Sequence, residues 1–191
     1  MKNFIKNYIN KSKETKELIL KNDSIISAIE KMASEIIEAY KNNKKVLIAG
    51  NGGSAGDAQH LAAELVSKFL MERPALSAIA LTTNTSILTS VGNDYDHKLV
   101  FARQISAHAN PGDIFIAIST SGESKNIIKA LEEAKNQKMI TIGLTGEKPA
   151  AMDKMCDYLI KVPSAETPII QEAHLMIEHL ICAIIEEQMY N

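Results

Sequence analysis

Two stretches of this 191-residue chain gather the residue types that move protons on carbon and oxygen. Asp57, His60, Glu64 and Lys68 are spaced three, four and four, so they share one face of a helix predicted over 54–70. A second set, Gln171, Glu172, His174, Glu178 and His179, falls on a helix predicted over 168–189. A histidine and a carboxylate one turn apart can act as acid and base, or hold a metal between them. The spacing alone equally fits a solvated face whose His–Glu contact is worth about 0.2–0.5 kcal/mol. His174 and Glu178 are also four apart and can satisfy each other. Gln171 and His179 stand about 12 Å apart along the helix axis. They meet at one point only by reaching towards each other, and otherwise serve different atoms or different subunits.

Two loops give the first of these helices a context. Gly50–Ser54 (GNGGS) follows the apolar run Val46–Ala49 and opens the helix bearing His60 and Glu64. Ser119–Ser124 (STSGES) follows Ile114–Ile118 and opens a helix predicted over 124–137. Small residues let backbone N–H groups approach an anion, hydroxyls add donors, and a helix N-terminus adds partial positive charge. One such loop reads as a helix cap; two, after two strands of one sheet, read as a phosphate pocket without arginine. Residues 50–55 also satisfy G-x-G-x-x-A, a variant of the dinucleotide fingerprint. That fingerprint calls for an acidic residue after the second strand, where Leu81-Thr82-Thr83-Asn84 stands instead, and no P-loop lysine follows the last glycine. A small phosphorylated metabolite fits better than a nucleotide.

The elements that must position these groups alternate along the chain. Apolar runs at 45–49, 76–81, 113–118, 139–144 and 158–162 predict strands, and 54–70, 84–107 and 124–137 have helical period. Strands alternating with helices imply a parallel sheet covered on both faces. Two amphipathic helices, 3–22 and 23–42, precede this pattern, the second capped by Asp23 or Ser24. The helix over 168–189 is apolar nearly all round, which calls for burial on several sides and for another subunit to cover part of it. With no internal repeat or linker, a single domain is expected over 1–191.

Composition narrows the function class. Net charge is −2 and only Arg73 and Arg103 of 21 basic residues are arginine, which argues against a nucleic-acid surface. Cys156 and Cys182 form no disulfide framework, there is no signal-peptide core, and no uninterrupted apolar run reaches about 18 residues. A cytoplasmic protein with no membrane segment is the expectation.

On GNGGSAGDAQHLAAEL (50–65), RPALSAIAL (73–81), SVGNDY (90–95), GDIFIAISTSGESKNI (112–127) and IIQEAHLMIEH (169–179), the chain resembles the sugar isomerase (SIS) domain family, in particular its phosphoheptose isomerase branch. The resemblance implies a three-layer αβα sandwich around a five-stranded parallel sheet, flavodoxin-like, with N-terminal helices over 1–42 packing at the interface of a homotetramer. It implies conversion of sedoheptulose 7-phosphate to D-glycero-D-manno-heptose 7-phosphate through an enediol, for lipopolysaccharide or other surface heptose. Substrate would be held by Asn51, Gly52, Gly53, Ser54, Glu64, Asn93, Asp94, Ser119, Thr120, Ser121, Ser124 and Gln171, with Glu64 as base and His179 as acid. Zinc, on His60, Glu64, Gln171 and His179, is the implied cofactor, and no nucleotide is. Ser67-Lys68-Phe69 departs from the family's frequent Gly-Arg-Phe, keeping the charge but losing the guanidinium fork. The family also includes non-catalytic tetramers that bind a replication initiator or sense a sugar phosphate. Such a relative would be expected to lose the acid and base, and this chain keeps Glu64 and His179.

Overall fold

The computed structural model describes residues 1–191. Five strands, β1 (Val46–Gly50), β2 (Ala78–Ala80), β3 (Ile114–Ile118), β4 (Ile140–Gly146) and β5 (Tyr158–Val162), form an all-parallel sheet in the order β2-β1-β3-β4-β5. Side chains alternate across each strand. Val46, Ile48, Ile114, Ile116, Ile142 and Leu144 therefore join the core under α1 (Lys2–Leu20), α2 (Asp23–Lys41), α3 (Gly53–Val66) and α7 (Thr167–Tyr190). Leu47, Ala49, Phe115 and Ala117 join the core under α4 (Thr85–Asp94), α5 (Ala102–His108) and α6 (Lys125–Asn136). The expected three-layer sandwich is thus present.

The order reverses between β1 and β3, which pair with Gly50 opposite Ile118. A crevice opens at such a switch point, at the carboxyl ends of the strands. The loops GNGGS and STSGES leave the sheet there side by side, so connectivity explains why they cooperate.

Three expectations need correction. The helix predicted over 84–107 is broken into α4, a 3-10 turn at His97–Leu99, and α5. The Asp96 side chain accepts the Lys98 amide, a local alternative to continuing the helix. The helix predicted to reach residue 70 ends at Val66, because the Glu186 carboxylate captures the amides of Phe69, Leu70 and Met71. Helix α2 is capped by Asn22, whose side chain accepts from the amides of Ser24 and Ile25, and not by Asp23 or Ser24.

Helix α7 is sided, not uniform. Ile170, Ala173, His174, Ile177, Glu178, Ile181, Cys182, Ile185 and Glu186 form its buried stripe. By length and composition it could cross a membrane, but half of its apolar window is buried inside the fold, which makes it the core helix of that layer. Helix α1 is much less embedded: only Thr15 and Ile19 are buried, and Phe4, Ile9, Leu18 and Leu20 stay exposed.

His174 and Glu178 do not satisfy each other. His174 Nε2 faces the Thr145 carbonyl oxygen at 3.3 Å, while its Nδ1 and both Glu178 carboxyl oxygens lack a partner in the chain. Burial, with a smaller contribution from the Asp57 charge, raises the Glu178 carboxyl from 4.5 to about 8. Burial lowers the His174 imidazole from 6.5 to about 4, against its hydrogen bond to Thr145. A raised acid means that the folded chain holds a proton the unfolded chain releases, so Glu178 erodes stability as pH rises from 4.5 to 8. His174 has the opposite slope, confined to pH 4–6.5. Above that window the raised Glu178 carboxyl still lowers stability as pH rises. Denaturant unfolding should therefore show stability falling by about 2 kcal/mol between pH 6.5 and 8, at about 1.36 kcal/mol per pH unit. Glu178→Gln should flatten that slope; a wild-type protein equally stable at both pH values would contradict the assignment.

Candidate active site

The phosphate-loop geometry is set by what caps α6. Ser124 stands at its N-cap but makes no capping bond to the helix. Its hydroxyl turns instead to Ser119 Oγ at 3.0 Å, and Ser121 Oγ lies 3.5 Å from the same atom. Three hydroxyls therefore converge beside helix amides that no side chain occupies, an arrangement that suits an anion. The turn needs Gly122, whose φ is +66° and whose added Cβ would stand 2.5 Å from Ala150 Cβ. Across the switch point, Asn51 and Asn126 exchange two hydrogen bonds: each Nδ2 donates to the other's Oδ1, at 2.9 and 2.8 Å. This amide pair ties the two loops together.

Helix α3 also starts without a side-chain cap, on Gly52 at φ +56°. Ser54, expected to face the ligand, is buried with its Cβ and backbone against Gly50. Gln171 rests its amide on Gly53, where an added Cβ would meet Nε2 at 2.3 Å. The absence of a side chain at Gly53 leaves room for the Gln171 amide against the first turn of α3.

Further along the two helices three of the expected residues, His60, Glu64 and His179, come together. His60 Nε2 lies 2.8 Å from His179 Nε2 and 3.4 Å from Glu64 Oε1. The donor atoms of all three residues fall within 4.8 Å of one another. The imidazole rings meet edge to face with centroids 5.1 Å apart, and Phe69 packs on His179 at 5.3 Å. Two ring nitrogens aimed at each other either share one proton or converge on a cation. Tetrahedral zinc, with bonds of about 2.0–2.1 Å, holds its ligand atoms roughly 3.3 Å apart, within half an ångström of both separations. Two histidines and one carboxylate with an open fourth position are a donor set that zinc enzymes use. The residues present fit the ion.

The other sequence expectations divide. Asn93 and Asp94 end α4, exposed, with Asn93 Nδ2 donating to Asp94 Oδ1 at 2.8 Å. Thr120 is half-buried in the hydroxyl loop. Lys68 lies beyond the end of α3 and pairs with Glu72 at 2.7 Å, so it leaves the polar stripe. Asp57 stays on α3, where burial raises its carboxyl to about 6 against the opposing pull of His60. A wholly polar cavity of about 540 Å³ beside the loops is lined by Asn51, Ser124 and five residues not anticipated: Asp96, His97, Lys98, Lys125 and Asn126. The Asp-His-Lys run was concealed by reading 84–107 as one helix; no sequence signal marked Asn126 as the partner of Asn51.

Sheet order, paired loops and a His–Glu–His cluster shared by α3 and α7 are the features of a sugar-phosphate isomerase class of α/β domain. The chain belongs to the SIS-domain family, whose sequence profile matches residues 7–146. It is 54% identical to phosphoheptose isomerase 2 of Campylobacter jejuni over 191 residues, covering 100% of this chain and 95% of that one. It is 53% identical to the phosphoheptose isomerase of Aneurinibacillus thermoaerophilus, covering 100% and 96%. The solved phosphoheptose isomerase of Francisella tularensis superposes with a TM-score of 0.93 at 39% identity, covering 97% of each chain.

Ser124→Ala should weaken binding of a phosphate monoester by about ten-fold, the loss of one hydrogen bond to a charged group. The denaturation midpoint should not move, since Ser124 caps nothing. Isothermal titration with the monoester checks this, and unchanged affinity would remove Ser124 from the phosphate site.

Proposed function

We propose that this chain isomerises sedoheptulose 7-phosphate to D-glycero-D-manno-heptose 7-phosphate, a precursor step for surface heptose. The observation that carries the proposal is the convergence of His60, Glu64 and His179 on helices whose N-termini adjoin the two anion loops. Ser119, Thr120, Ser121 and Ser124 hold the phosphate. From Gly53 to His60 helix α3 rises about 10 Å, a span comparable with an extended seven-carbon sugar phosphate. Asn51, Gly52, Gly53, Asn93, Asp94 and Gln171 are the residues assigned to contact the sugar chain.

Moving the carbonyl from C2 to C1 requires taking a proton from C1, placing one on C2, and exchanging protons between O1 and O2. Glu64 is the base: it removes the C1 proton and, as the acid so formed, delivers a proton to C2 of the enediol. His179 donates to O2 as C1 is deprotonated and recovers the O1 proton as the aldehyde forms. His60 stands between them, 3.4 Å from the Glu64 carboxylate and 2.8 Å from the His179 ring, and orients both. Zinc held by His60, Glu64 and His179, with Gln171 as fourth ligand, would polarise the carbonyl and stabilise the enediolate. A carboxylate shared with a metal is a weaker base, which sets Glu64's two roles against each other.

A homotetramer is part of the same proposal. It is supported by the exposed apolar residues of α1 and by a groove of about 370 Å³ along α7, where Phe69, Leu175, Met176, Leu180 and Ala183 line the wall together with Glu172 and His179. Free Cys156 and Cys182 suit a cytoplasmic enzyme.

Glu64→Gln should lower the isomerisation rate by at least about 10³-fold, within the range for loss of a general base, while sugar-phosphate binding persists. A coupled assay of heptose 7-phosphate formation checks it; a rate near wild type would remove Glu64 as the base.

A further inference from the structure

The mechanism above depends on where Glu64 and His179 stand, and one buried ion pair that touches neither side chain connects the segments carrying them. Glu186, 2% exposed, lies two turns beyond His179 on α7. Its Oε1 accepts from the Phe69 amide and from Arg73 Nε, both at 2.9 Å. Its Oε2 accepts from the amides of Leu70 and Met71 at 2.7 and 3.1 Å. Burial alone would raise this carboxyl, but those four donors outweigh it and hold the group below its ordinary value. Arg73 completes the connection. Its Nη2 donates to the Glu64 carbonyl at 2.8 Å, and its Nη1 to the carbonyls of Leu65 and Pro74 at 2.8 and 3.0 Å. The guanidinium thus caps the last turn of α3, where the helix leaves carbonyls without partners.

We propose that the Arg73–Glu186 pair is the positioning device of the active site, fixing the Glu64 end of α3 and seating Phe69 against the His179 ring. The inference rests on the assignment of Glu64 and His179 as base and acid. Three separate segments are locked to one another by seven hydrogen bonds to these two side chains. The planar fork is needed because one group must serve a carboxylate and two helix carbonyls at once. Phe69 is the link to the acid: its amide is held by Glu186, and its ring lies 5.3 Å from that of His179 at an interplanar angle of 30°.

The test compares Arg73→Lys, Glu186→Gln and Phe69→Leu with Leu131→Ala, a core truncation on α6, on the opposite face of the sheet. Displacing catalytic groups by an ångström or less lowers kcat, so the three clamp variants should lose roughly 10- to 100-fold in kcat per folded chain with KM within two-fold. Leu131→Ala should lose stability and keep its kcat. Combining Glu186→Gln with Phe69→Leu should cost no more than the worse single variant, since both act through one contact. Additive losses, or clamp variants matching Leu131→Ala in kcat per folded chain, would overturn the proposal. Breaking a buried pair can prevent folding; if Arg73→Lys and Glu186→Gln do so, Phe69→Leu alone decides, and a wild-type kcat overturns it. Hydrogen exchange at the Phe69, Leu70 and Met71 amides gives an arm that needs no substrate. These amides should lose protection in Glu186→Gln, and unchanged protection would refute the clamp. Inactivity of the wild-type chain on sedoheptulose 7-phosphate would instead refute the reaction assignment, leaving the exchange data to decide the clamp.

Discussion

Helices α3 and α7 lie side by side, and the proposed chemistry divides between them. His60 and Glu64 are on one, His179 on the other, and the 2.8 Å approach of the two imidazoles exists only if the helix axes are close. Close approach is arranged by small residues: Gly53 leaves room for the Gln171 amide, and Ala58, Ala62 and Ala173 lie in the shared core. The far ends of the pair are joined by Arg73 and Glu186. Removing either end would leave the helices packed on the sheet but free to slide, and the proton-transfer distances would follow.

The sheet supplies the other constraint. Because β1 and β3 are neighbours at the point where strand order reverses, their loops emerge together, and both following helices start without side-chain caps. Uncapped amides and converging hydroxyls suit a phosphate without a guanidinium in the hydroxyl loop. The buried layer beneath α7 shows the accompanying cost. His174 and Glu178 are held neutral at pH 7 in a setting where neither finds a full set of partners. Structures commonly tolerate such groups close to functional sites.

Most of the architecture was legible in the sequence because period and length separate strands from helices cleanly here. Val46–Gly50 and Ile114–Ile118 are buried on both faces and read as continuous apolar runs. The paired loops and the His60/Glu64 face were legible for the same local reason. Much of what failed depended on side chains distant in sequence, the Asp96 break and the Asn22 cap being local exceptions. Nothing near Val66 announces that Glu186 will end α3, and Asp96 divides a segment whose apolar spacing otherwise continues. His174 and Glu178 have the spacing of a helical pair, yet His174 turns to the Thr145 carbonyl and both Glu178 oxygens stay without a partner, so desolvation rather than mutual contact governs them. The Asn51–Asn126 bond joins two loops that only strand order makes adjacent.

The central claim is that the Glu64 carboxylate takes the C1 proton and exchanges it in part with solvent before C2 of the enediol is protonated. Sedoheptulose 7-phosphate taken through many turnovers with the protein in deuterium oxide tests it most directly, with label located by nuclear magnetic resonance. The account predicts deuterium at C1 of the recovered ketose and at C2 of the aldose, accumulating with each reversal. Full equilibration of the two sugars with neither carbon labelled would contradict it.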